Sequence, residues 1–156
     1  MPEKFWLMLF VLISVLVHPF MAHSQEQQRV KTFETACNTY LFIHEDGKTA
    51  LIIDPGTQSQ NLEEFIKTDE LTIVGILNTH GHGDHISANA HYAKIYNVNV
   101  YGHPGDERGY INKLEAHRPT KWLSTKDETL VIGNFEIKVL NTPGHSQGSV
   151  GFLIDN

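Results

Sequence analysis

The chain has 156 residues and a mass of 17.6 kDa, with 40% hydrophobic and 19% charged residues, enough for one globular domain, too few for two ordinary ones, and too apolar for a mainly disordered chain. Twelve Lys plus Arg against eighteen Asp plus Glu leave a formal net charge of -6 and a pI near 5.9, the wrong sign for holding nucleic acid by phosphate neutralisation, so no nucleic-acid partner is expected. A single cysteine, Cys37, closes no intramolecular disulfide and cannot build a cysteine-based structural zinc site, which leaves His and carboxylate as the available metal ligands.

Residues 1–24 read as a secretory signal peptide. Lys4 is followed by an uninterrupted apolar run from Phe5 to Val17 and then by Ala22-His23-Ser24, the charged, hydrophobic and small-x-small order of an export signal. The run falls short of the about 20 residues a membrane-spanning helix needs, so no stable membrane anchor is expected. The remaining domain, 25–156, is expected in the periplasm or outside the cell.

From Phe33 onwards short β-rich runs alternate with turn signals. Asn38 to His44 and Thr49 to Asp54 are strand-like and flank Glu45-Asp46-Gly47-Lys48, whose Asp-Gly pair favours a hairpin turn. Leu62, Phe65 and Ile66 recur at helical spacing, and the apolar run Leu71 to Leu77 suits a buried parallel strand. A second helix is expected from about Ser87 to Ile95 and a short strand at Val98 to Tyr101. Residues 103 to 125 carry many turn formers and no clear period; Arg108, Tyr110 and Lys113 there read as a solvated loop rather than a cleft lining. Thr129 to Ile132 and Phe135 to Leu140 flank Gly133-Asn134 as a second hairpin, and Ser149 to Ile154 gives a last strand. Cys37, at the start of the first of these strands, reads as a small buried hydrophobe. The fold class is therefore α/β (α+β), with polar clusters at Asp54, His80 and His145 all just past strand ends, where they can converge on one site.

Thr79-His80-Gly81-His82-Gly83-Asp84-His85 places three of the chain's ten histidines and an aspartate within six positions. Gly81 and Gly83 are expected to let the backbone turn through φ angles other residues resist, so that alternate side chains face one point. Imidazole and carboxylate suit zinc and similar divalent ions, and a catalytic zinc takes three protein ligands and one open position. His80, His82 and His145 can form such a set, and Asp84 and His85 can begin a second beside it. His44, His91, His103 and His117 read as surface or loop residues.

Taken together, Ile52-Ile53-Asp54-Pro55-Gly56, the Thr79–His85 run and Thr142-Pro143-Gly144-His145-Ser146-Gln147-Gly148-Ser149 resemble the metallo-β-lactamase fold hydrolases, most of all their glyoxalase II-like branch, from about Phe33 to the last residue. The resemblance implies an αββα sandwich, of which this chain covers roughly the first half. It implies His80, His82 and His145 on the first metal and Asp84 and His85 on the second, with Asp54 a structural acid supporting the metal loop. Two zinc ions per complete site are expected, iron or manganese being admissible. His85, directly after the motif aspartate, is taken to set the chain apart from the β-lactamases proper, His82 from the flavodiiron branch, and the acidic balance and expected export from the RNA-processing branch. The family's bridging aspartate and last histidine ligand have no counterpart before Asn156; Asp155, read as part of a turn, is not taken as the bridge. Half a sandwich is expected to expose an apolar sheet face, so a fragment, a partnered chain such as a homo-oligomer, and a decayed gene product all stay open.

The expected reaction is hydrolysis of an ester-like bond, thioester, lactone or related, in a small-molecule substrate by a metal-bound hydroxide. Asp84 is the expected catalytic carboxylate, positioning the hydroxide or carrying a proton to the leaving group. The alternatives are a mononuclear iron oxidoreductase resembling the sulfur dioxygenases of the same superfamily, and an inactive metal-binding fragment.

Overall fold

The structure is a computed structural model that describes residues 29–111 and 117–155; the segment read as a signal peptide and Lys113 lie outside the described residues. Among the described residues nine strands form two sheets. In chain order the elements are β1 (Val30–Glu34), β2 (Asn38–Ile43), β3 (Thr49–Ile53), α1 (Gln60–Thr68), β4 (Thr72–Leu77), α2 (Gly83–Ile86), α3 (Asn89–Tyr96) and β5 (Val100–Gly102). A 3-10 turn (Pro104–Asp106), α4 (Glu107–Ile111), β6 (Lys121–Trp122), β7 (Glu128–Ile132), β8 (Phe135–Asn141) and β9 (Val150–Asp155) follow. The first sheet runs β1-β2-β3-β4-β5-β6, antiparallel across β1-β2-β3 and parallel from β3 to β6; the second is the antiparallel β7-β8-β9.

The β2-β3 hairpin forms where Asp46-Gly47 placed it. Gly47 takes a left-handed φ of 65°, and the Asp46 carboxylate accepts the Lys48 and Thr49 amides, both at 2.8 Å, and the Thr49 hydroxyl at 2.7 Å. In α1, Ser59 caps the first turn by accepting the Leu62 amide, while Leu62 and Ile66 bury one face. α3 ends on Asn97 in the left-handed region.

Alternation along β3 and β4 divides the core between two layers. Leu41, Ile43, Ala50, Ile52, Ile73 and Ile76 face α1 and α3, meeting Leu62, Ile66 and Tyr92. Leu51 and Leu77 face the second sheet and meet Ile132, Phe135 and Ile137. An extra residue in β4, Val74, separates the pairs Ala50↔Ile73 and Leu51↔Gly75, a bulge that returns Ile76 and Leu77 to opposite faces. Gly75 lies under the second sheet: a Cβ there would stand 3.1 Å from Ile132 Cγ2.

Three layers, helix, sheet and sheet, are thus present among the described residues, in agreement with the expected part of an αββα sandwich. The expectation of an exposed apolar sheet face needs correction. The inner face of the large sheet is covered by β7-β8-β9, and the outer face of the small sheet mixes Val131 and Leu153 with Thr129, Glu136 and Lys138, because its strands alternate apolar-in and polar-out. Asp155 lies in β9 and not in a turn. It pairs with Glu136 at the end of the strand remote from Val150, whose amide bonds Thr79 O.

β1 and β6 are the two strands the sequence did not announce. β1 is an amphipathic edge strand whose Phe33 meets Phe65 of α1 edge-on at 5.8 Å. Tyr110 is fully buried, edge-on to Trp122, and so belongs to the core; Arg108 is exposed as expected but lies in helix α4 and not in a loop.

Candidate metal centre

The parallel strands β3, β4 and β5 deliver Asp54, the Asn78–Gly83 loop and the His103–Asp106 turn to one edge of the large sheet. The second sheet delivers Thr142–Ser149 between β8 and β9. Asp54 leaves β3 with φ 52°, a left-handed conformation that Asp tolerates better than most residues. Its amide donates to Leu77 O and its carbonyl accepts the Thr39 hydroxyl at 2.8 Å. The bend turns the buried carboxylate under the His loop.

There Asp54 fixes the loop at three points. Oδ1 accepts the Thr79 amide at 2.8 Å, while Oδ2 accepts the Thr79 hydroxyl at 2.5 Å and faces His85 Nδ1 at 3.0 Å. The Thr79 oxygen also stands 3.0 Å from His80 Nδ1. Since that hydroxyl gives its hydrogen to Asp54, it accepts one from His80, so both His80 and His85 carry their proton on Nδ1 in the neutral form. Their Nε2 lone pairs are then free, the arrangement a carboxylate imposes on metal-ligating histidines.

His80, His82 and His145 converge, with ring centroids 4.7–4.8 Å apart and ligand atoms all within 4.8 Å of one another. His82 Nδ1 and His145 Nε2 are 2.9 Å apart, near the about 3.3 Å that a tetrahedral ion with Zn–N of about 2.0–2.1 Å imposes. Buried His80 Nε2 has no hydrogen-bond partner. A buried ring nitrogen without a partner costs free energy unless something accepts its lone pair, and a divalent ion among these three nitrogens would do so. The residues therefore fit a metal. His80 is buried whereas His82 and His145 are exposed, so the cluster opens to solvent.

Asp84 and His85 lie beside the three histidines. The exposed Asp84 Oδ2 lies 3.7 Å from His85 Nε2, a spacing two ligands of one ion can share, and the His80 and His85 rings are 4.1 Å apart. Asp54, His80 and His85 also form a compact trio, but the Asp54 oxygens are already engaged by Thr79 and His85, consistent with support rather than ligation. Burial holds the His80 ring below its ordinary value, with His85 beside it adding to the effect; the hydrogen bond to Asp54 holds His85 above its ordinary value despite partial burial.

Two expectations fail at this level. Gly81 and Gly83 do not adopt left-handed φ: among the described glycines only Gly47 and Gly133 do. Gly81 is needed for close approach instead, since a Cβ there would lie 2.7 Å from Asp106 Cβ and 3.0 Å from Tyr110 Cε2. Cys37 is half-buried rather than buried, its Sγ 3.4 Å from Asp54 O. Its thiol is pushed up to about 11, first by burial and then by the Asp54 charge, so it makes a poor nucleophile. His103 is a loop residue but a buried one, its Nδ1 accepting the Gly105 amide; His44 and His91 pair with Asp46 and Glu63.

Sequence reading missed Asp106, Asn78 and Asn89. Asn78 and Asn89 are fully buried and exchange two side-chain bonds, at 3.2 and 2.8 Å, tying the end of β4 to α3. Asp106 follows β5 as Asp54 follows β3, so the rule that polar residues past strand ends gather at one edge could have found it.

The two-sheet fold and this histidine cluster are those of a metal-site protein of the αββα class. The metallo-beta-lactamase superfamily matches residues 32–156, and the chain belongs to that superfamily. It is 29% identical over 136 residues to the hydroxyacylglutathione hydrolase GloC of Haemophilus influenzae, covering 80% of this chain and 63% of that one. With the probable metallo-hydrolase YqgX of Bacillus subtilis it shares 34% over 128 residues, covering 75% and 60%. The chain thus spans about three fifths of the length of these curated relatives. Among solved structures it is similar to the BLEG-1 B3 metallo-beta-lactamase, with 30% identity, TM-score 0.66 and coverage of 79% and 66%. It is also similar to TTHA1623 in a di-iron-bound form, with 30% identity, TM-score 0.63 and coverage of 80% and 65%.

Proposed function

We propose that the chain carries the metal-binding half of a hydrolase acting on an ester-like bond, a thioester before a lactone or β-lactam. His80, His82 and His145 hold one divalent ion, and Asp84 and His85 contribute to a second. The observation that carries this reading is the convergence of three histidine nitrogens around the partnerless Nε2 of His80. Preference for thioesters draws on the likeness to a hydroxyacylglutathione hydrolase, and iron stands beside zinc because of the di-iron form of a similar structure.

When bound, such an ion supplies hydroxide near neutral pH and polarises the carbonyl under attack. The residues of the chain do the rest. Asp54 and Thr79 keep His80 and His85 in the tautomer that leaves Nε2 unprotonated. His82 and His145 present the open side of the cluster to solvent, where a substrate can enter. Asp84, exposed and beside His85, is free to orient a water molecule or to pass a proton to the leaving thiol or alcohol.

The test is a substrate panel of an S-acylglutathione, a lactone and a β-lactam, assayed after loading with zinc, iron or manganese. Thioester cleavage that stops with chelator and returns with metal is the expected result. A metal-loaded chain that leaves all three intact overturns the hydrolytic reading, and oxygen uptake with a persulfide would replace it by the iron oxidoreductase.

A further inference from the structure

Among the described residues, Asp106 is the one carboxylate bonded to both segments that carry the histidine cluster. Its Oδ2 accepts the Gly81 amide at 2.9 Å and the Ser146 hydroxyl at 2.6 Å, and its Oδ1 accepts the Gly148 amide at 2.8 Å. Gly81 lies between His80 and His82, and Ser146 directly follows His145. The Ser146 oxygen further meets Ser149 Oγ at 2.8 Å, and the Ser146 amide donates to that same hydroxyl at 3.1 Å. The loops meet without room for a side chain. A Cβ on Gly81 or Gly148 would come within 2.7 Å of Asp106, and one on Gly105 within 2.7 Å of Gln147 O.

We infer that Asp106 is a positioning residue for the metal centre, clamping the His80–His82 loop of the large sheet to the His145 loop of the small sheet so that the three ligand nitrogens are held at coordination distance. The inference rests on the metal-centre reading above and deepens it. Asp106 is not itself a ligand: three donors already occupy its oxygens, and it stands outside the compact ligand groups. Only hydrogen bonds and close backbone contact connect it to the histidines, and His80 and His82 belong to one layer of the fold while His145 belongs to the other. Without the clamp the two layers would still pack through Leu51, Leu77, Phe135 and Ile137, Asp54 would still hold Thr79, and the Val150 amide would still bond Thr79 O, but the Gly81 and Ser146–Gly148 segments that flank His82 and His145 would lose the bonds that tie them to each other.

Asp106→Asn keeps the shape and takes away one acceptor. Whichever way the amide is turned, its NH2 faces either the Gly81 or the Gly148 N–H, and one glycine amide loses its bond. The experiment compares the full chain, Asp106→Asn and Ser146→Ala in three measurements. These are zinc affinity by competition with a chromophoric chelator, the absorption spectrum of the cobalt-substituted protein, and amide hydrogen exchange of Gly81 and Gly148 without metal. Expected for Asp106→Asn are about 10–100-fold weaker zinc binding, an altered cobalt spectrum, and faster exchange at Gly81 or Gly148 with the Thr79 amide, held by Asp54, still protected. Ser146→Ala, which removes the bond to Asp106 together with the hydroxyl contact to Ser149 and leaves the charge, is expected to weaken zinc about fivefold and decides the matter if Asp106→Asn does not fold. Folded variants with unchanged affinity, spectrum and exchange overturn the inference. An unsubstituted chain that binds no zinc or cobalt overturns the metal-centre reading itself, a failure visible before any variant is compared.

Discussion

Replacing Asp54 by Asn tests how the fold prepares the histidines for metal. Asn tolerates the left-handed φ of 52° at this position nearly as well as Asp, so backbone strain is held constant and only the acceptors change. If the new NH2 takes the place of Oδ2, it donates to the Thr79 oxygen and to His85 Nδ1. The Thr79 hydrogen then turns to His80 Nδ1, and both rings move their proton to Nε2, the nitrogen a metal would need. If the amide flips, its NH2 confronts the Thr79 amide, now 2.8 Å from Oδ1, and a part-buried N–H loses its acceptor. That loss costs about 1–3 kcal/mol, while the tautomer change falls on metal affinity, where supporting carboxylates are worth about 10–100-fold. Urea unfolding of the metal-free protein measures the first quantity, chelator competition the second, and nitrogen NMR of the two rings the tautomers. A folded variant with affinity within twofold of the parent and both rings still protonated on Nδ1 would refute the reasoning.

Other consequences follow from the same contacts. Gly81→Ala sets a methyl against Asp106 and Tyr110 and is expected to destabilise by about 1–3 kcal/mol, read as a lower urea midpoint. Asp46→Ala should lower thermal stability by unfastening the β2-β3 turn and its bond to Asn134. The Lys48 amide first, then the Thr49 amide, hold the Asp46 carboxyl below its ordinary 3.8; its contribution is therefore present above that value and lost as pH falls through the folded one, so the parent should lose stability below about pH 4 and the variant should lose less. Thr79→Val, which removes the hydroxyl between His80 and Asp54, is expected to weaken metal binding while leaving the His85–Asp54 bond intact, visible as an unchanged His85 titration.

Much of the candidate centre could be read from the chain because its candidate ligands are local. Four of the five, His80, His82, Asp84 and His85, sit in one six-residue run that strand β4 carries to the sheet edge, and the fifth, His145 beyond β8, follows the same strand-end logic. The hairpins were legible for a related reason: Asp46-Gly47 and Gly133-Asn134 carry their turn chemistry with them. The clamp was not. Asp106 and Ser146 stand forty positions apart, and a bond between them has no period and no local composition. β1 escaped because an edge strand with one half-buried face presents as much polar as apolar surface, and β6 because two residues have no period. Gly81 was singled out correctly for the wrong cause: an invading neighbour and a left-handed φ both call for glycine, and only the packing distinguishes them.

The most direct test of the metal centre is the metal content of the purified chain and of its His82→Ala variant, after loading with zinc and dialysis, measured by inductively coupled plasma mass spectrometry. The geometry of His80, His82 and His145 predicts at least one tightly held ion per chain and its loss in the variant. A parent that retains none, or a folded variant that retains as much, would contradict it.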